Sequence, residues 1–340
     1  MGRKSSLPPV ARVDALMRAY RGSTPGASVL VVDHGEPVVC RAYGYADLEA
    51  GAETTSATNY RLASVTKQFT AAAVALLAED GRLSFDDRAR DWLPSLPDAA
   101  ARVTIRQLLT HTSGLLDYED LIPDGTATPL RDADVLALLE RQDRTYFPPG
   151  TAYRYSNGGY ALLALVVGRA SGKDFATFLG GRIFGPLGMS QTLAYEAGVS
   201  TVPHRAYGYS AAGGAWIRTD QNLTSAVLGD GGIYSSIDDL AKWDAALDDE
   251  RLLRADSLRR LFAPATPTDD PAVWYGMGWR ISGERLWHSG ESIGFRNVIV
   301  REPRRRLTVV ILTNRNDPEP YPRALAIAEI FARGAPTERH

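Results

Sequence analysis

The sequence predicts an α/β (α+β) fold: one antiparallel sheet built from both chain ends, flanked by helices, with a mostly helical lobe inserted between the two halves of the sheet. Three observations predict it. β-rich runs crowd the N-terminal part, where ASVLVVD and EPVVCRAYGYAD flank Asp33-His34-Gly35 as the arms of a hairpin. A second set crowds the C-terminal part, in GMGWRIS, RLWHS, GFRNVIVRE and RRLTVVILTN. Between them the runs read as helices, and Gly and Pro mark the joins in FPPGT, FGPLGM and LGDGGIYSS.

Taken in order, an amphipathic helix is expected over about 10–20, then the hairpin, then helices near 64–80, 104–109, 132–141, 158–171 and 174–183, a loop over 116–129, the C-terminal strands and a last helix over about 321–332. A chain of 340 residues, 44% hydrophobic, can bury one large core. It is expected to form a single domain over 1–340, with a sheet subdomain at about 10–60 and 265–335 and a helical lobe at about 64–260. A cleft between sheet and lobe is the natural place for a site. There is no internal repeat and no low-complexity tract.

The charge balance narrows the function. A net charge of -2, with no recurring basic face, argues against a nucleic-acid partner. Cys40, the single cysteine, excludes an internal disulfide framework and any CxxC site; its strand-like surroundings predict a buried small hydrophobe. No segment has the length and apolarity of a signal peptide or a membrane span. The expected compartment is the cytoplasm, or the periplasm or exterior if a leader has been cleaved. The oligomeric state is not legible.

The residues that carry chemistry begin at RLASVTKQFTAAAVALLAEDG, residues 61–81. Ser64 and Lys67 stand three apart, so a helix places them on one face, and Lys67 can reach the serine hydroxyl. A serine hydroxyl is a poor nucleophile until a base takes its proton, and a lysine serves as that base only where burial or nearby positive charge favours the free amine. Arginine cannot replace it. Only four of the 38 basic residues are lysines, so a lysine here is a specific choice. The bland reading is that Ser64 is a helix cap, and SxxK is short enough to arise about once by chance in such a chain.

Two further constellations follow. Tyr155-Ser156-Asn157 lies in a turn before an apolar helix, where a tyrosine can relay a proton and an asparagine amide can hold a lysine or a substrate carbonyl. The alternative is that Asn157 caps the helix starting near Gly158 while Tyr155 packs beneath it. His288-Ser289-Gly290 lies on or beside a strand; Gly290 lets a substrate backbone lie close, and the backbone N–H of Glu291 could join that of Ser64 as an oxyanion hole. A histidine beside Trp287 is also a common core residue. No GxSxG, HExxH or Walker A pattern competes.

The order SVTK, YSN, HSG, with YRLASVTKQFTA, LLTHTSGL, FPPGTAYRYSN, PLGM and GDGGIYSSIDDLAKW around it, resembles the penicillin-recognising serine hydrolases: class C β-lactamases, D-alanyl-D-alanine carboxypeptidases and their esterase and D-aminopeptidase relatives. The likeness runs from about 25 to about 314. It implies a β-lactamase/transpeptidase-like catalytic domain that cleaves an ester, peptide or β-lactam through an acyl-enzyme on Ser64. Lys67 and Tyr155 would shuttle the proton, Asn157, His288, Ser289 and Gly290 would bind substrate, and the N–H groups of Ser64 and Glu291 would hold the oxyanion. No metal or organic cofactor is implied, and the partner is a small-molecule ester, amide or peptide. The alternative is a protein acylated by β-lactams without turnover.

Two departures stand out. His288 replaces the lysine of class C β-lactamases and is mostly neutral at pH 7 unless perturbed, which disfavours strong β-lactamase activity relative to esters, small amides and peptides. Glu291 is acidic where a small or hydroxylic residue is usual; it either attracts an amine-bearing substrate or pairs with an arginine such as Arg296. His111 is expected to be structural, and Gly231-Gly232 to let backbone approach the cleft.

Overall fold

A computed structural model describes residues 7–332. Lys4 and the last part of the second expected sheet segment, 333–335, lie outside the described residues. The main sheet has eight strands: β1 (Ala27–Asp33), β2 (Glu36–Tyr43), β3 (Thr266–Pro267), β4 (Trp274–Tyr275), β5 (Arg280–Ser282), β6 (Arg285–Ser292), β7 (Phe295–Glu302) and β8 (Leu307–Thr313). Their order is β3-β4-β5-β6-β7-β8-β1-β2, antiparallel throughout, so the C-terminal β8 joins β1 to close the sheet from both chain ends. The predicted fold class is the observed one.

The unbroken apolar runs of β1 and β8 reflect burial on both faces. Alternation sends Leu30, Val32, Ile299, Val310 and Leu312 into the core shared with the helical region. Val29, Val31, Val298, Val309 and Ile311 face a second core, closed by helix α1 (Pro9–Leu16) and the C-terminal helix through Val13, Ala324 and Ile327. In the larger core lies α2 (Lys67–Glu79), buried from Lys67 through Leu77. Such a helix has no solvent face, and its alanines let neighbours approach closely. Beside it run α3 (Asp132–Leu139) and α4 (Asn157–Ser171), and the last helix, Tyr321–Ala332, is α5. Among the described residues no helix is long and apolar enough to cross a membrane.

The structure corrects several local expectations. Ser64 lies not in an α-helix but in a 3-10 turn, Ala63–Thr66, entered through Ala63 at φ 49°. Of the two readings of Asn157 the capping one falls away: Ser156 caps α4, its Oγ accepting from the N–H of Gly159, which releases the Asn157 side chain. The helix expected over 174–183 breaks at Leu179 into a wider turn, Gly180–Phe184, at a pair of glycines. The helices Ile237–Ala246 and Ala255–Phe262 were not foreseen. Cys40 is exposed, because β2 is the outer strand of the sheet, and its thiol points to Asp238 at 3.8 Å.

Candidate active site

The turn 63–66 leads directly into α2, so Ser64 stands one turn above Lys67, and Lys67 Nζ donates to Ser64 Oγ at 2.9 Å. Lys67 is completely buried. Its other two bonds run to Asn157 Oδ1 and to the backbone carbonyl of Asp230, both at 2.9 Å. Nζ thus meets three oxygen partners supplied by the 63–66 turn, α4 and the 228–231 turn, and these satisfy a group that burial alone would penalise. The rings of Tyr155 and Tyr160 face the same nitrogen at 4.9 and 5.5 Å.

Tyr155 is half-buried, and its hydroxyl makes no hydrogen bond to another described residue. Its ring packs on His111, with centroids 4.3 Å apart. His111 is buried at φ 58° and accepts the N–H of Ser156 on Nδ1, so the proton sits on Nε2. Burial, with Lys67 nearby, holds its pKa well below the usual histidine value. This histidine therefore supports the YSN turn from behind, as its expected structural role requires.

The third motif lies on β6. His288 is buried, with Nδ1 2.6 Å from the carbonyl of Ser289; a carbonyl only accepts, so Nδ1 carries the proton and Nε2 accepts from Tyr275 at 3.0 Å. Burial, then Arg280 and Lys67, push its pKa well below the usual value. It is a neutral ring with both nitrogens engaged. Gly290 brings β6 against the 63–66 turn: a Cβ there would lie 2.0 Å from the carbonyl oxygen of Leu62. Ser289 is half-buried between them. Glu291 pairs with Arg296 at 2.6 Å, the second of its two expected fates. Gly231 lines the cleft beside Ala63.

A cavity of about 310 Å³ opens over Ser64, lined also by Glu119, Tyr155, Asn157, Asp230 and Glu291 among others, while His288, Ser289 and Gly290 are not among its lining residues. A larger one of about 640 Å³, lined by Asp132, Phe175 and Tyr195 among others, contains none of the motif residues. Chemistry, not size, locates the site.

The sequence reading missed four groups. Glu119 accepts from Asn157 Nδ2 at 2.8 Å. The Arg280 guanidinium stands over the Tyr155 ring at 5.6 Å and makes no hydrogen bond or ion pair to another described residue. Tyr275 fixes His288, and Asp230 accepts from Tyr118 at 3.2 Å. Glu119 sits in what reads as an uncoded loop, whereas the buried acid in GDGG was a signal available beforehand.

Two buried carboxyls lie beneath the site. Burial raises Asp132 to about 6, even though it accepts the N–H groups of Leu228 and Gly229, and raises Asp230 to about 7 against the pull of Lys67. Both release their protons at higher pH in the folded chain than in the unfolded one. Their contribution to stability is therefore full below about pH 4 and is lost as pH rises through 6 to 7. Asp230→Asn is expected to gain in melting temperature relative to wild type as pH goes from 5 to 8. His111 and His288 act in the opposite sense but cancel in that difference; a pH-independent difference would contradict the assignment.

A serine held by a buried lysine at the edge of a cleft, beside a strand drawn close by glycine, defines a serine hydrolase of the acyl-enzyme type. The chain belongs to the Beta-lactamase family, whose model matches residues 13–333. It is similar to penicillin-binding protein 4* of Bacillus subtilis (strain 168), 31% identical over 329 residues that cover 91% of this chain and 72% of that one. It is 33% identical over 289 residues to a D-aminopeptidase of Brucella anthropi, covering 82% of this chain and 53% of the relative, so it spans about half of that protein. Among solved structures, a D-amino acid amidase from Ochrobactrum anthropi SV3, complexed with L-phenylalanine amide, superposes with a TM-score of 0.81 at 25% identity, covering 96% of this chain and 98% of that one.

Proposed function

We propose that this protein hydrolyses the amide or ester bond of a small amine-bearing acyl donor, such as a D-amino-acid amide or short peptide, through an acyl-enzyme on Ser64. The Lys67 Nζ–Ser64 Oγ hydrogen bond carries the reading. Lys67, reacting as the free amine, takes the hydroxyl proton as Ser64 Oγ attacks the carbonyl carbon, and the proton is returned through Tyr155 to the departing amine or alcohol as the C–N or C–O bond breaks. The backbone N–H groups of Ser64 and Glu291 take the oxyanion, and Asn157 orients the substrate. Water then releases the acid by the same route in reverse. His288, Ser289 and Gly290 back the cleft, and the same strand at Glu291 and Ser292 forms the wall along which the substrate lies.

Substrate choice follows from charge. With Glu291 paired to Arg296, the carboxylate left beside Asn157 is Glu119, which suits an ammonium group. The neutral, engaged His288 offers no cation for a β-lactam carboxylate. Glu119→Gln is expected to lower kcat/KM for a D-amino-acid amide about tenfold more than for a neutral p-nitrophenyl ester, the loss of one charge-assisted bond of about 1.4 kcal/mol. Equal effects on both substrates would remove the amine from the reading. Prolonged incubation with a fluorescent penicillin separates turnover from the alternative, a stable adduct without release.

A further inference from the structure

Four hydrogen bonds close a ring beneath Ser64. Lys67 Nζ donates to Asn157 Oδ1 at 2.9 Å, and Asn157 Nδ2 donates to Glu119 Oε1 at 2.8 Å. The chain passes from Glu119 to Tyr118, whose hydroxyl donates to Asp230 Oδ2 at 3.2 Å. The Asp230 carbonyl then accepts from Lys67 Nζ at 2.9 Å and completes the circuit.

We propose that Asp230 is a positioning residue for the Ser64 reaction: its carboxyl, through Tyr118 and Glu119, fixes the amide of Asn157, while its carbonyl fixes Lys67. The proposal rests on the reading of Lys67 as the group that serves Ser64. The amide of Asn157 has two unlike ends, and Lys67 needs the oxygen. Glu119 accepts only, so holding Nδ2 against it prevents the flip that would turn two N–H donors toward Lys67. Tyr118 is fully buried, and Asp230 is the acceptor its hydroxyl reaches, which anchors the segment bearing Glu119.

Packing alone gives no reason for an acid at this position. Asp230 is flanked by Gly229 and Gly231 in a turn so tight that a Cβ on Gly229 would lie 2.2 Å from the Tyr160 carbonyl oxygen. A small apolar side chain would fill the space without the desolvation cost of a carboxyl. The charged groups that face it are Lys67 on α2, Arg61 before the nucleophile turn, Asp132 on α3 and Glu119, and it forms no ion pair with any of them. Its one side-chain bond among the described residues, to Tyr118, is the link that makes the ring continuous.

The test is the rate at which a fluorophosphonate labels Ser64, since this probe needs neither an amine nor a known substrate. Tyr118→Phe, which removes one oxygen, is expected to slow labelling about tenfold, and Asp230→Ala at least as much. Asp230→Asn still offers an oxygen to Tyr118 and is expected to label several-fold faster than Asp230→Ala. Tyr118→Phe combined with Glu119→Gln should be no more than about twofold slower than the slower single variant, because both act through one amide. Thermal melts identify the folded variants, and Tyr118→Phe with the double variant decides the matter if Asp230→Ala does not fold. Wild-type rates in Tyr118→Phe, or losses that multiply in the double variant, would overturn the role of Asp230. A wild-type protein that is not labelled at Ser64 would overturn the underlying reading of the site as well.

Discussion

Ser64→Ala is expected to lose turnover by a factor on the order of 10⁴ or more, and Lys67→Arg to lose nearly as much. The two variants test different things. Alanine removes the atom that becomes acylated, so ester hydrolysis and the mass shift of a trapped acyl group should disappear together. Arginine keeps the positive charge and removes the ability to give it up, because a guanidinium is not deprotonated in proteins. It also cannot reproduce three bonds radiating from one nitrogen to Ser64, Asn157 and Asp230 in a fully buried position. Kinetics with p-nitrophenyl acetate and intact mass after incubation read both variants. Persistent hydrolysis by Ser64→Ala would refute the nucleophile, and an active Lys67→Arg would refute the proton path.

Gly290→Ala is expected to cost about 1–3 kcal/mol of stability and roughly 10²-fold in kcat/KM. The added Cβ would meet the Leu62 carbonyl oxygen at 2.0 Å and the Val65 side chain at 3.3 Å. Leu62 cannot retreat cheaply: its N–H is bonded to the Ile233 carbonyl at 2.8 Å, and the Arg61 carbonyl accepts from buried Asn297 at 2.7 Å. The strand must therefore back away from the nucleophile turn and carry the Glu291 N–H with it. Gly180→Ala, where a Cβ meets nothing within 4 Å, is the control expected to be nearly silent. Denaturant midpoints and ester kinetics on both variants check the pair. A Gly290→Ala protein with wild-type stability and rate would show that the close approach is dispensable.

Local pattern was enough for part of this molecule. The i, i+3 spacing of Ser64 and Lys67 survives the correction from helix to 3-10 turn, because either geometry puts the two side chains one turn apart. Apolar runs such as LTVVILT identified sheet strands because burial on both faces leaves no polar alternation to obscure them. Between the two readings of Asn157 the structure chose, since Ser156 and Asn157 are both good capping residues and sequence alone does not say which one caps α4. Cys40 was misread because a strand's hydrophobicity does not say whether it lies at the edge of the sheet.

The sequence by itself determined the fold class, the family likeness and the serine–lysine pair, all of which depend on residues close in the chain or on motif order. Only the tertiary structure decided the surroundings of that pair. Lys67 meets Asn157 and Asp230 across separations of 90 and 163 residues, and Glu119 reaches Asn157 across 38. It likewise decided that His288 is neutral and engaged, that Glu291 belongs to Arg296, and that Glu119 is the carboxylate beside Asn157. Those outcomes depend on burial and on which charges come to face one another, and both are set when the sheet closes from its two ends and the helices pack against it.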